Sequence, residues 1–216
     1  MKQRSKIGLY VSLCLLAAFV LWTVLVSTVD VQAIGPQESR VGLATLNAWA
    51  HNLTGLHMTL YTLTDWLGLV PVGTACGFAV WGLCQWIRRR RLAKVDFGIL
   101  AMGVFYLAVM AVYLLFEVTV VNHRPVLIEG RLEASYPSST TVLASSVMPA
   151  ALVYLWRCMR GKALRIGIAV GIVGFTVFMV IGRLVSGVHW VSDVIGGGLF
   201  SAGLVTLYAW VTSGRR

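Results

Sequence analysis

Six long apolar runs, separated by short polar or basic segments, set the pattern of the chain. Ile7 to Val29, Trp66 to Ile87, Phe97 to Phe116, Tyr136 to Trp156, Ile166 to Gly182 and Val194 to Ser213 each contain no charged residue. A helix needs about 20 apolar residues to cross the hydrocarbon core of a bilayer. Lipid cannot satisfy open backbone groups, and the runs lack the alternation of barrel strands, so the spans are predicted to be helices. The expected class is an all-α, polytopic membrane protein with six transmembrane helices, forming one membrane-embedded domain over residues 1–216. Pro149 falls inside the fourth run and predicts a kink, because proline removes one helical hydrogen bond and its ring crowds the preceding turn.

Between the first two runs, Leu46, Trp49, Leu53, Leu56 and Leu60 recur at helical spacing, with Asn47, His51 and Asn52 mostly off that stripe. This predicts an amphipathic helix in the first outer loop, serving either as a surface cover over the bundle or as a lid beside a lipid entrance. Gly196, Gly197 and Gly198 predict close helix packing at the start of the sixth run. No repeat or low-complexity tract stands out.

The basic residues orient this arrangement. Lys2, Arg4 and Lys6 precede the first run; Arg88 to Arg91 and Lys94 follow the second; Arg157, Arg160, Lys162 and Arg165 follow the fourth; Arg215 and Arg216 end the chain. Fourteen of the 18 Lys and Arg residues therefore fall on one side, leaving Arg40, Arg124, Arg131 and Arg183 for the other. The positive-inside rule predicts that both termini are cytoplasmic. The first run is longer than the roughly 7–15 residues of a signal-peptide core, so it is expected to be an uncleaved anchor.

Composition agrees with a membrane protein. The chain is 58% hydrophobic and 12% charged, with a mean hydropathy of +0.80. Soluble domains carry roughly 25% charged residues. The net charge of +10 would suggest nucleic acid in a soluble protein, but here it lies in topology-setting clusters, so no nucleic-acid partner is expected. Cys14, Cys76, Cys84 and Cys158 lack metal-ligand spacing, and neither a metal nor another cofactor is expected.

Chemistry gathers on the side opposite the basic clusters. One segment runs from Glu117 through Asn122, His123, Arg124 and Pro125 to Pro137, Ser138, Ser139 and Thr140. The other holds Gly182, Arg183, His189 and Asp193. His189 and Asp193 are four apart and share a face on a helix. A carboxylate beside an imidazole fixes its tautomer and stabilises its charged form. Arginine forks fit phosphate oxygens, and a helix start at Ser138–Ser139 offers free N–H groups to an anion. The same residues also suit a plainer role, with Arg183 reaching toward headgroups while Ser138 and Asp193 cap helices.

These residues resemble the type 2 phosphatidic acid phosphatase superfamily, whose motifs are Lys-x6-Arg-Pro, Pro-Ser-Gly-His and Ser-Arg-x5-His-x3-Asp. Here they read Glu117-x6-Arg124-Pro125, Pro137-Ser138-Ser139-Thr140 and Gly182-Arg183-x5-His189-x3-Asp193. Order, internal spacing and placement relative to the spans match. The resemblance implies that His189 is the nucleophile forming a phosphohistidine and that Asp193 orients it. It implies that Arg124, Arg183, Ser138 and the Ser139 N–H bind phosphate, without a catalytic metal. Glu117 replaces the family's lysine, Ser139 its glycine and Gly182 its serine. Thr140 replaces the histidine that protonates the leaving group. A threonine hydroxyl is a poor acid near neutral pH, which leaves His123 and Thr140 as candidate donors.

The expected function is a membrane lipid phosphatase acting at the outer face of a bacterial cytoplasmic membrane, on a lipid phosphate or a polyprenyl diphosphate. A lipid phosphotransferase, or a catalytically silent lipid-phosphate binder or transporter on the same scaffold, are the alternatives. Diphosphates are expected to react faster than monoesters, because a departing phosphate needs less proton assistance than an alkoxide.

Overall fold

The computed structural model describes residues 6–214; Lys2, Arg4, Arg215 and Arg216 lie outside the described residues. Among the described residues eight α-helices follow one another: α1 (Ile7–Thr28), α2 (Ala44–Thr54), α3 (Met58–Leu67), α4 (Leu69–Arg89), α5 (Phe97–Val118), α6 (Ser139–Cys158), α7 (Lys162–Val185) and α8 (Val191–Thr212). Six spans among the described residues are long and apolar enough to cross a membrane, and α3 with α4 supplies one of them.

The second span begins at Met58, eight residues before the apolar run, and lasts to Arg89. Its first turns hold threonines that satisfy themselves within the helix: Thr62 and Thr64 donate to the carbonyls of Met58 and Leu60. Polar residues can therefore extend the helix without leaving open hydrogen-bonding groups. The stripe from Leu46 to Leu60 is correspondingly divided at Gly55, which has φ +69° and caps α2. α6 runs through Pro149 without interruption from Ser139 to Cys158.

α6 and α8 carry the most buried faces of the bundle, and their contact includes a Ser146–Ser201 hydroxyl pair at 2.9 Å. α1 lies along α8, where Ser12 donates to the Gly203 carbonyl at 2.8 Å. α4, α5 and α7 pack around this centre, and α3 lies against α7. Two members of the glycine run make close approaches. Tyr136 occupies the space a Cβ on Gly196 would need, and Gly197 faces Thr141 and Val142. Tyr136 is in turn fixed by a 2.7 Å hydrogen bond between its hydroxyl and that of Thr23. The start of α8 is thus held against α1 and α6, at the end of the bundle where the polar segments meet.

Candidate active site

Two connections bring the polar residues together. The α7–α8 connection turns sharply at Gly187, which has φ +71°. A Cβ there would also collide with the Gly55 carbonyl, so only glycine fits both the conformation and the space. The His57 N–H binds the Ser186 carbonyl at 3.0 Å and fastens the α2–α3 elbow to the same turn. His189 follows at a bend, Trp190 in extended conformation caps α8, and Asp193 lies in its first turn. The Asp193 Oδ2 accepts the Trp190 N–H at 2.9 Å. His189 therefore meets Asp193 by a capping turn rather than along a shared helix face.

The α5–α6 connection folds back on itself. His123 pairs with Ala134, the Arg124 N–H binds the Glu133 carbonyl, and Ile128 and Arg131 close the end around Glu129 and Gly130. This places Arg124 opposite His189. Arg124 Nη1 lies 3.4 Å, and Arg183 Nη2 3.2 Å, from His189 Nε2. Two guanidinium groups facing one ring nitrogen require that nitrogen to offer its lone pair. The proton of the neutral ring then belongs on Nδ1, 3.8 Å from Asp193 Oδ2. Burial first, and then the charges of Arg124 and Arg183, hold the His189 pKa well below the ordinary histidine value.

Each arginine has a carboxylate beside it. Arg124 Nε meets Glu133 Oε2 at 3.0 Å, and Arg183 Nη1 meets Asp65 Oδ1 at 3.6 Å. Arg183, only 1% exposed, also lies over the Tyr61 ring at 4.9 Å and reaches Thr64 Oγ1 at 3.5 Å. Burying a cation at this depth requires such partners. α3 thus completes the arginine's surroundings.

Behind Asp193 stands a buried polar network. Asn122 donates to Asp193 Oδ1 at 3.2 Å and accepts the Gly42 N–H at 3.0 Å. Asn47 on α2 accepts the Ser192 N–H at 3.1 Å and donates to the Ser192 hydroxyl at 2.9 Å. The Trp190 indole donates to the His123 carbonyl at 2.7 Å, and that of Trp22 on α1 to the Ser192 carbonyl at 3.0 Å. The Ser138 N–H binds the Asp193 carbonyl at 3.2 Å, which ties the start of α6 to the start of α8.

A cavity of about 720 Å³ opens in front of His189. Arg124, His123, Arg131, Ser139 and Glu117 line it, and its apolar wall comes largely from α5. A charged end and an apolar wall in one cavity suit an amphiphilic molecule. Of the residues singled out in the sequence, His189, Asp193, Arg124 and Arg183 form one cluster, while Ser139, His123 and Glu117 line the cavity beside it. Ser138 is buried at the α6 start and accepts from the Thr141 hydroxyl at 3.0 Å. Thr140 is buried beside Gly68 at the α3–α4 junction and is absent from the cavity lining. Asn47, Asn122, Ser192, Tyr61 and Asp65 were not evident as site residues from the sequence. The available signals were Asn122, inside the polar segment already singled out, and Asn47, a polar residue off the apolar stripe of its helix. Among the described residues no cluster of His, Cys, Asp and Glu is arranged to hold a metal.

The profile of the PAP2 superfamily matches residues 99–216, more than half of the chain. A solved structure, that of the first transmembrane PAP2-type phosphatidylglycerolphosphate phosphatase from Bacillus subtilis, aligns over 95% of this chain and 98% of its own. The TM-score is 0.58 and the identity 17%, a likeness of fold. No curated protein matches the chain.

Proposed function

The chain belongs to the PAP2 superfamily of membrane lipid phosphatases, and we propose that it removes phosphate from a lipid phosphate or polyprenyl diphosphate through a phosphohistidine on His189. The observation that carries this reading is the convergence of Arg124 and Arg183 on His189 Nε2. The arginines would hold the phosphoryl oxygens while the Nε2 lone pair attacks phosphorus. The bond to the leaving oxygen breaks and takes its electron pair with it. Asp193 would stabilise the positive ring by its charge across 3.8 Å. Water then attacks the phosphohistidine, inorganic phosphate departs, and Nε2 recovers its pair. Transition-state charge is met by the arginines and the N–H groups at the start of α6.

His123 is the proposed donor to the leaving oxygen, because it lines the cavity and Thr140 does not. A monoester leaving as an alkoxide depends on that proton; a diphosphate, whose leaving phosphate has its last pKa near about 6, depends on it less. The topology reading belongs to the same proposal: six spans, α2 on the outer face, both termini cytoplasmic, and the site opening to the extracytoplasmic side of a bacterial cytoplasmic membrane. Contacts of α1 with Ser192, Tyr136 and Gly203 support a retained first helix.

The test is phosphate release by the purified protein from matched lipid monoester and diphosphate substrates. Release without an added acceptor, lost in His189→Ala and strongly reduced in Asp193→Asn, is the expected result. Release only in the presence of a lipid or sugar acceptor would identify a phosphotransferase. Binding without turnover would identify a silent lipid-phosphate binder. Full activity in His189→Ala would sink the phosphohistidine route.

A further inference from the structure

Glu117 stands in the cavity wall where the resemblance leads one to expect a lysine, and its surroundings give it a task. Tyr113, Phe116 and Glu117 on α5, with Val120 just beyond its end, line the cavity that His189 and Arg124 close. No arginine, lysine or histidine nitrogen lies within 4.0 Å of the Glu117 carboxylate among the described residues. The other cavity carboxylate, Glu133, is engaged by Arg124 at 3.0 Å. Glu117 is exposed one residue before the end of α5, so its carboxylate is open to an incoming cation. Tyr113, four residues earlier on α5, and Phe116 line the same cavity, and aromatic faces attract a cation.

We propose that Glu117, with Tyr113 and Phe116, forms an ammonium subsite, so that the preferred monoester substrates carry a positively charged amine close to the phosphate. This rests on the phosphatase reading and narrows it. The phosphate faces Arg124, Arg183 and His189, while the amine faces Glu117. The lysine-to-glutamate change then alters headgroup choice: it gives up one contact to phosphate and gains one to a zwitterionic headgroup. Arg131, also in the cavity, lies on the connection after α5 and remains available to phosphate oxygens.

The test uses three long-chain alkyl 1-phosphates of one length, bearing at carbon 2 an amine, an N-acetylated amine or a hydroxyl. Phosphate release is measured near pH 7, where the free amine is charged. The amine should be preferred over both uncharged analogues by roughly tenfold in kcat/KM, the scale of one partly exposed charge contact with aromatic support. Glu117→Gln should bring that ratio to about one, and Glu117→Lys should turn it in favour of the uncharged analogues. Equal turnover of all three by the unmodified protein, or a preference that survives Glu117→Gln, overturns the subsite while leaving the phosphatase reading intact. Failure to release phosphate from any of them while a lipid diphosphate is hydrolysed overturns the subsite alone; failure on the diphosphate as well, by a preparation shown to be folded, overturns both.

Discussion

At the scale of single residues, His189 shows how burial and charge set chemistry. A free imidazole titrates near about 6.5, and one paired with a carboxylate usually titrates higher. Here burial and two guanidinium groups prevail, and the ring is held neutral to lower pH. The sign follows directly: protonation would place a third positive charge beside Arg124 and Arg183, so the folded protein resists it. The chain has only four histidines, which makes the titration tractable by 15N-histidine NMR in detergent. One imidazole signal, absent from His189→Gln, should remain neutral well below pH 6.5 with its proton on Nδ1. In Arg124→Ala the same signal should titrate at higher pH, because one of the two positive charges beside the ring has gone. A His189 resonance titrating at or above 6.5 in the unmodified protein would remove the argument that Nε2 is free to attack. His51 is the second imidazole with a pKa lowered by burial, so the assignment must come from the His189→Gln difference.

At the scale of elements, the site depends on α2 and on the α5–α6 connection as much as on the helices that carry its reactive groups. Asn122 is fully buried and bridges Gly42 to Asp193. Asn122→Ala would strip one donor from the Asp193 carboxylate and leave the Gly42 N–H without its partner. An unmet buried polar group costs about 1–3 kcal/mol. The expected outcome is a fall in kcat of roughly 10–100-fold with KM little changed, because in the proposed route Asp193 acts through His189 and not on the substrate. Asn47→Ala, which reaches Asp193 only through Ser192, should cost less in kcat at a similar loss of thermal stability. Equal kcat losses in the two variants would reduce Asn122 to a general structural role. The spans were legible in the sequence, because lipid demands long uncharged runs, and their cores agree with the observed helices. The arginines, His189 and Asp193 were legible as motif positions, but the helix face inferred from the four-residue spacing of His189 and Asp193 gives way to a capping turn. The α3 side of the site was not: Tyr61 and Asp65 meet Arg183 across more than a hundred residues of chain and resemble ordinary interfacial polar groups. Nor was the division of the amphipathic stripe at Gly55, because nothing local shows that its carbonyl must press against Gly187. Leu46, Trp49 and Leu53 remain exposed on α2 while Asn47 is buried. A wheel drawn for a soluble protein would have turned that face inward.

At the scale of the molecule, the two ends of the bundle differ in charge and in chemistry. The end of α5, the start of α6, the end of α7 and the start of α8 meet at the site. The opposite ends carry the basic segments, and there the arginines serve the backbone: Arg157 donates to the Ala209 carbonyl, Arg165 to that of Met159 and Arg89 to that of Lys94. A span of about 20 residues at 1.5 Å per residue separates the two ends by roughly 30 Å. If the basic end is cytoplasmic, the site faces outward and draws its substrate from the outer leaflet. Topology therefore decides which pool of lipid is processed, independently of the chemistry at His189. Single cysteines placed at Arg91, Arg160 and Glu129, in a chain whose four native cysteines are changed to serine, can be probed with a membrane-impermeant thiol reagent in intact cells. Glu129 lies exposed at the far tip of the α5–α6 connection, so its cysteine should react at once. Those at Arg91 and Arg160 should react only after the membrane is opened. The reverse pattern would turn the site to the cytoplasm and confine the proposed activity to inner-leaflet phosphates, with the arrangement of Arg124, Arg183 and His189 unchanged.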